Sequence, residues 1–136
     1  MLRVLDTGLG LAFENMAFDE KLLRELDPKG SPLLHHYGWK APAVTHGYFL
    51  DPQRHIDLEK AKRHGLEIAR RPTGGGMVFH LWDLAFSFLM PAAHPHFSEN
   101  TLENYRFVNG IALEAVELFL QGEELVPELL SGDSSL

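Results

Sequence analysis

The densest chemistry in this chain lies in Arg70-Arg71-Pro72-Thr73-Gly74-Gly75-Gly76-Met77-Val78-Phe79-His80. Two guanidinium groups enter a turn, three glycines follow, and an apolar run ends in a histidine. Three glycines lose more backbone entropy on folding than any other triplet. They are warranted where the backbone takes conformations closed to other residues, or where a ligand lies against bare backbone. Adjacent arginines point to an anion, a carboxylate or a phosphate. The segment is not a Walker A loop, which needs a lysine after its last glycine, because no lysine follows Lys62. Nor does it open a helix as Gly-x-Gly-x-x-Gly does, since Met77 to Phe79 reads as a strand. A ligand is expected along a strand edge and a loop, held by backbone amides and arginine.

Other residue types offer weaker chemistry. His80 is close to Asp83, and such a pair can orient a general base. The same spacing fits a purely structural hydrogen bond. His35-His36 and His94-Pro95-His96 lack the i,i+4 spacing of a helical metal site, so no metal is expected. Tyr37-Gly38-Trp39 and His46-Gly47-Tyr48-Phe49 combine aromatics with glycine. That composition suits the lining of an apolar tunnel, and it suits core packing equally.

The elements that must position these residues follow from periodicity and punctuation. Leu2 to Asp6 reads as a strand, and Phe13 to Leu26 as a helix with Phe13, Met16 or Ala17, Glu20 and Leu23 to Leu26 on its apolar face. Pro32 to Trp39 and Ala43 to Tyr48 read as strands. Asp57 caps a short helix that ends at His64, and Gly65 suits its left-handed exit. Leu66 to Arg70 then delivers the arginine–glycine loop. Met77 to His80 and Leu84 to Met90 are further strands, joined as a hairpin by Leu81-Trp82-Asp83. Asn100 and Glu103 open a helix that runs to Leu120 and is expected to bury Leu102, Tyr105, Val108, Ala112, Ala115 and Phe119. Residues 121–136 form an acidic, turn-rich tail. The order of elements predicts an α+β fold, a mixed β-sheet flanked by helices.

Composition narrows the classes. At 136 residues the chain fits one domain with a real core. Its net charge of −7 argues against a nucleic-acid module, which needs clustered Lys and Arg. The absence of cysteine removes disulfides, thiolate metal sites and a cysteine nucleophile. No apolar run approaches the roughly 20 residues of a membrane span. The start, Met1-Leu2-Arg3-Val4-Leu5-Asp6, has no long apolar stretch of a signal peptide. A cytoplasmic location is expected.

Together these segments resemble the catalytic domain shared by lipoate–protein ligases, octanoyltransferases and biotin–protein ligases, a class II synthetase-like fold. The resemblance begins at Asn15-Met16-Ala17-Phe18-Asp19-Glu20-Lys21-Leu22-Leu23. It continues at Tyr37-Gly38-Trp39, Pro42 and Gly47-Tyr48-Phe49, and is strongest at Arg70 to His80, which matches the family's signature loop. Leu84 to Phe88 is similar to the strand that follows. The likeness extends to about Phe119, so residues 1–120 are expected to be the N-terminal half of such a domain.

The resemblance implies an acyl chain, lipoate or octanoate, in an apolar tunnel. In the ligases ATP, with Mg, activates the acid as an acyl-adenylate such as lipoyl-AMP, and the acyl group passes to a lysine of a carrier domain. Carried over, Arg71 would contact the adenylate phosphate, and Gly76, Met77, Val78 and Phe79 would frame the nucleotide. Gly47, Thr73, Gly74, Gly75 and His80 would border the acyl substrate. The partners implied are lipoyl carrier domains of 2-oxoacid dehydrogenase E2 components and of the glycine cleavage H protein. Two departures stand out. Leu50 occupies a position where the family usually has Gln. The family's later Gly-Lys-Lys-type segment, and the cysteine nucleophile of the octanoyltransferase branch, have no counterpart here. Catalysis is therefore expected to be incomplete in this chain alone, with no catalytic residue assigned. An unpaired sheet edge would favour self-association or a second chain.

Overall fold

A strand that runs parallel to its predecessor needs a crossover, usually a helix. The computed structural model, which describes residues 1–124 and 126–128, contains two such units. In the first, β1 (Arg3–Gly10) leads through α1 (Ala12–Arg24) to a parallel β2 (Leu33–Trp39). In the second, β3 (Ala43–His46) leads through α2 (Leu58–Arg63) to a parallel β4 (Glu67–Arg70). Each central strand then takes an antiparallel neighbour: β5 (Met77–His80) lies on β3, and β6 (Ala85–Leu89) lies on β2. The result is two three-stranded mixed sheets, β1-β2-β6 and β4-β3-β5.

The α+β class with mixed pairing is as the sequence implied. The hairpin across Leu81-Trp82-Asp83 is not, because β5 and β6 belong to different sheets. The reason lies in β3, whose Ala43, Val44, Thr45 and His46 are all buried. β5 takes the edge of that strand left open by β4 and so gives its backbone groups partners, while β6 pairs with β2 in the other sheet. The bounds of α2 followed the expected signals, whereas β1 runs on to Gly10, past the expected end at Asp6. Asp57 Oδ1 accepts the Lys60 amide to start α2, and Gly65 leaves it at φ +68°.

The face of α1 differs from the expected stripe. Ala12, Asn15, Met16 and Asp19 are buried, while Phe13 and Glu20 are exposed. Two of the four inward residues are polar, which hydrophobic periodicity reads as outward. Both are satisfied. Asn15 Nδ2 donates to the Gly38 carbonyl at 2.9 Å. Asp19 accepts from His35 Nδ1 at 2.7 Å, from the Tyr37 hydroxyl at 3.2 Å and from the Ser87 hydroxyl at 2.5 Å. Asp19 thus ties α1 to β2 and β6. Small residues around it, Ala12, Ala43, Ala69 and Ala85 with Met16 and Tyr37, let the helix sit close to both sheets. At the other end, Glu67 of β4 accepts the Ala12 amide at 2.6 Å, where the helix dipole favours a carboxylate.

Burial, then the adjacent Asp19 charge, push the Tyr37 phenol from 10.0 to about 12. The folded value lies above the unfolded one. The contribution is therefore complete below pH 10.0 and is lost as pH rises towards about 12. Stability should fall by roughly 2–3 kcal/mol across that window from this group. Urea unfolding at a series of alkaline pH values should show this slope, and Tyr37→Phe should remove it.

By its internal contacts the chain divides into Met1–Pro91, which holds both sheets, and the segment from Ala92 onward. The latter contains α3 (Thr101–Phe119), whose N-terminus is capped by Asn100 Oδ1 on the Leu102 amide at 3.1 Å. Glu103 does not complete a capping box. It takes the Ser98 hydroxyl at 2.6 Å instead. No residue of α3 is buried, and Leu102, Tyr105, Ala115 and Phe119 of the expected stripe are exposed. Among the described residues α3 is the only helix or strand of its segment, so nothing within that segment covers the stripe. Of the predicted tail, Leu125 and residues 129–136 lie outside the described residues.

Candidate functional site

The site grows from the end of β3. His46 accepts the Arg71 amide at 2.8 Å, Gly47 donates to the Gly76 carbonyl at 3.2 Å, and Tyr48 donates to the Thr73 carbonyl at 2.8 Å. These three backbone bonds press the loop from Arg71 to Gly76 against residues 46–48. Gly47 is buried at the closest approach, where a Cβ would overlap the Gly75 carbonyl oxygen. Gly75 itself has φ +97°, the left-handed region that favours glycine. Gly74 and Gly76 differ. Neither has a positive φ, and a Cβ on either would meet nothing within 4 Å. The chain's own packing gives no reason for them to be glycine. Their effect is to leave bare backbone on the outside of the loop.

Arg71 holds the loop from within. Its guanidinium donates to Thr45 Oγ1 at 2.9 Å, to the Gly74 carbonyl at 3.1 Å and to the Gly76 carbonyl at 2.9 Å. A guanidinium has five N–H donors, so two remain for a ligand. Thr45 passes the connection on, since its hydroxyl lies 2.8 Å from His80 Nε2, and His80 Nδ1 lies 2.6 Å from Asp83 Oδ2. With a carboxylate on Nδ1, that nitrogen carries the proton and Nε2 accepts from Thr45. Arg71, Thr45, His80 and Asp83 thus form one chain of donors ending on a carboxylate.

Burial pushes the Asp83 carboxyl up, but hydrogen bonds from His80 and from its own amide outweigh this and hold it below 3.8. The buried Trp39 indole N–H, which has no hydrogen-bond partner of ordinary geometry, also favours the charged carboxylate. Trp39 stacks on the His80 ring at 4.1 Å and 24°. The Tyr37 and Trp39 rings meet edge to face at 5.4 Å. The aromatics of β2 pack on one another and on His80 in the core, whereas Tyr48 and Phe49 are exposed.

Arg70 is arranged differently from Arg71. It is exposed, makes no ion pair among the described residues, and lies over the Tyr48 ring at 4.3 Å from its centre. Such a stack contributes roughly 0.5–1 kcal/mol at an exposed site and fixes where the charge points. Arg70, Arg71 and Tyr48 border a cleft of about 300 Å³ whose other wall is α1, through Phe13, Met16 and Glu20.

The structure brings Gly47, Arg71, Thr73, Gly74, Gly75 and Gly76 together in one clamp. Met77 begins β5 half-buried, Val78 and Phe79 are exposed along it, and His80 is buried at its far end. Sequence reasoning singled out Arg71 over Arg70. In the fold, Arg71 is engaged with its own loop, and Arg70 stacks on Tyr48 and makes no ion pair among the described residues. Sequence reasoning did not single out Thr45, although a hydroxyl in the middle of a buried strand must find partners and so marks a network. Among the described residues no group of three or more His, Cys, Asp or Glu is placed to hold a metal ion. Among the same residues no helix is long and apolar enough to cross a membrane.

Comparison with known proteins places this geometry in context. The family model described as the lipoyl protein ligase A/B catalytic domain matches residues 12–120. The octanoyltransferase LipM of Carboxydothermus hydrogenoformans is 38% identical over 112 residues, which cover 81% of this chain and 42% of the relative. LipM of Geobacillus kaustophilus is 40% identical over 113 residues, covering 82% of this chain and 41% of the relative. Among solved structures, a bi-partite lipoate protein ligase from Thermoplasma acidophilum, studied with its E2 lipoyl domain, superposes with a TM-score of 0.74 at 29% identity. It covers 95% of this chain and 48% of that one. A lipoate-protein ligase A bound with ATP gives a TM-score of 0.71 at 29% identity, covering 87% and 46%. The chain spans about two fifths of the length of these curated relatives and about half that of the solved structures.

Proposed function

The chain belongs to the lipoyl protein ligase A/B catalytic domain family, and we propose that it carries the acyl-binding part of an octanoyl- or lipoyl-transferring domain. The observation that carries this reading is the loop locked by Arg71. It offers bare backbone at Gly74 and Gly76, and its Arg71 and Pro72 line a cleft together with Arg70, whose guanidinium makes no ion pair among the described residues. The acyl chain lies in the cleft against Phe13 and Met16, and its carboxyl or thioester end meets the loop. Gly47, Thr73, Gly74 and Gly75 border that end, and His80 fixes the loop through Thr45 and Arg71. The acceptor is a lysine of a lipoyl carrier domain, of an E2 component or of the glycine cleavage H protein. The nucleophile or activating lysine is not assigned to these residues.

Two variants of this function differ in how the acyl group is activated. In the octanoyltransferase variant it arrives already activated as a thioester. This is favoured by the 38–40% identity to LipM proteins, against 29% to the ligases. In the ligase variant ATP with Mg supplies the activation, and the residues present fit an adenylate phosphate. Arg70 and the two spare N–H groups of Arg71 are cationic donors, and Gly76 to Phe79 present a backbone edge. The similarity to a ligase bound with ATP supports this second variant.

Calorimetry on the chain with octanoate, lipoate and a non-hydrolysable octanoyl-adenylate analogue tests the reading. At least one is expected to bind, and Arg70→Ala should weaken it about 10–100-fold, the value of a charge-assisted hydrogen bond. Arg70→Lys should recover only part, because a point charge does not replace the fork. No binding of any of the three would overturn the proposal.

A further inference from the structure

A second histidine–carboxylate pair stands outside the arginine–glycine loop and has the parts of a nucleophile relay. His35 Nδ1 lies 2.7 Å from Asp19 Oδ1, and His35 Nε2 lies 2.8 Å from Thr7 Oγ1. The Asp19 carboxylate accepts a hydrogen bond from Nδ1–H, so Nε2 presents its lone pair and the Thr7 hydroxyl donates to it. Carboxylate, imidazole and hydroxyl therefore stand in the order and roles of a hydrolase triad. The two inner members are fixed. Tyr37 and Ser87 hold the other Asp19 oxygen, and His35, fully buried, packs between the Phe18 and Tyr37 rings at 5.2 and 4.9 Å.

The outer member sits at the surface. Thr7 is exposed, although Asp19, His35 and Tyr37 are buried. The strand is bent to present it. Pairing of β1 with β2 runs to Asp6↔His36 and resumes at Leu9↔Gly38, three steps on one strand against two on the other. This is a β-bulge, a device that re-aims a side chain and is common beside active sites. Gly8 at φ +68° makes the bulge, and its amide is held by Asp6 Oδ1 at 2.8 Å. The bulge sets the Thr7 hydroxyl on His35 Nε2 while the residue itself stays at the surface.

We propose that Thr7 is an acyl-accepting nucleophile, with His35 as its general base and Asp19 as its positioning residue, acting on small activated acyl esters or thioesters. Thr7 Oγ attacks the acyl carbon while its proton passes to His35 Nε2. The tetrahedral intermediate collapses, the bond to the leaving oxygen or sulfur breaks, and that atom takes the proton from His35. Water then repeats the sequence on the Thr7 ester, releasing the carboxylic acid and restoring the hydroxyl. The net reaction is ester or thioester plus water giving acid plus alcohol or thiol. It is independent of the acyl-transfer reading of the arginine–glycine loop.

The test uses the full chain with para-nitrophenyl butyrate and with a fluorophosphonate probe, followed by intact mass and peptide mapping. Release of nitrophenol and a phosphonyl adduct on Thr7 are expected. Thr7→Val, which keeps the shape and removes the hydroxyl, should lose the adduct and slow hydrolysis about a hundredfold or more. Thr7→Ser should retain both, which separates loss of the nucleophile from loss of folding. The absence of an adduct on Thr7, or an equal hydrolysis rate in Thr7→Val, would overturn the proposal and leave the three residues as scaffold.

Discussion

Alanine at Gly47 is expected to release the arginine–glycine loop and to abolish ligand binding with it. The added Cβ would overlap the Gly75 carbonyl oxygen and stand 2.8 Å from Gly74 C and Gly75 N. All three obstacles are backbone, so no side-chain rotation relieves them. The loop must move, and movement breaks the Gly47–Gly76 and Tyr48–Thr73 bonds and two of the Arg71 bonds. Overpacking costs about 1–3 kcal/mol, and each lost hydrogen bond about 1 kcal/mol more. A destabilisation of roughly 3 kcal/mol is expected by urea unfolding. Gly74→Ala and Gly76→Ala supply the contrast. Their Cβ atoms meet nothing in the protein, so stability should stay within about 1 kcal/mol of the parent. Binding should nevertheless weaken if the ligand lies on that backbone. Retained binding in Gly47→Ala would show that the clamp is not what shapes the site.

The largest loss of stability is expected from Asp19→Ala. Three donors converge on that carboxylate, and two of them, His35 and Tyr37, are buried. Removing it leaves them unpaired in a low-dielectric core, which costs about 3–5 kcal/mol. A domain with total stability of about 5–15 kcal/mol has little left after such a change. Asp19→Asn should cost less, because its carbonyl oxygen still accepts from one side. A double-mutant cycle with Tyr37→Phe tests the mechanism: the pair should cost less than the sum of its members, since the orphaned hydroxyl is gone. Strict additivity would show that the loss arises elsewhere.

The sequence was most readable where a local rule had no competitor. Asp57 and Gly65 bracket α2 because capping and a left-handed exit are decided within a few residues. The strand at β2 was legible as well: alternation puts Leu33, His35 and Tyr37 on one face, and the fold shows that this face is the buried one. The face of α1 was misread by about a residue because Asn15 and Asp19 are buried on tertiary partners that lie far along the chain. The β5–β6 connection was misread for a similar reason. A short link favours a hairpin locally, but the buried edge of β3 decides the pairing. In the candidate site the loop itself was legible from composition, and the His80–Asp83 pair from spacing. The division of labour between Arg70 and Arg71 was not. It depends on which guanidinium the loop carbonyls and Thr45 capture, and adjacent identical residues carry no signal for that.

The stacking of Trp39 on His80 also gives the protein an optical handle. The chain has two tryptophans, and the other, Trp82, is 96% exposed. One indole is packed against an imidazole in the core, and the other stands in water only two residues beyond that histidine. Their emission should separate, with Trp82 red-shifted and open to acrylamide while Trp39 is blue-shifted and shielded. His80 is joined to the loop through Thr45 and Arg71, so the shielded component should register a ligand that shifts the loop. Occupancy of the site can then be followed in unlabelled protein by the colour of its own fluorescence.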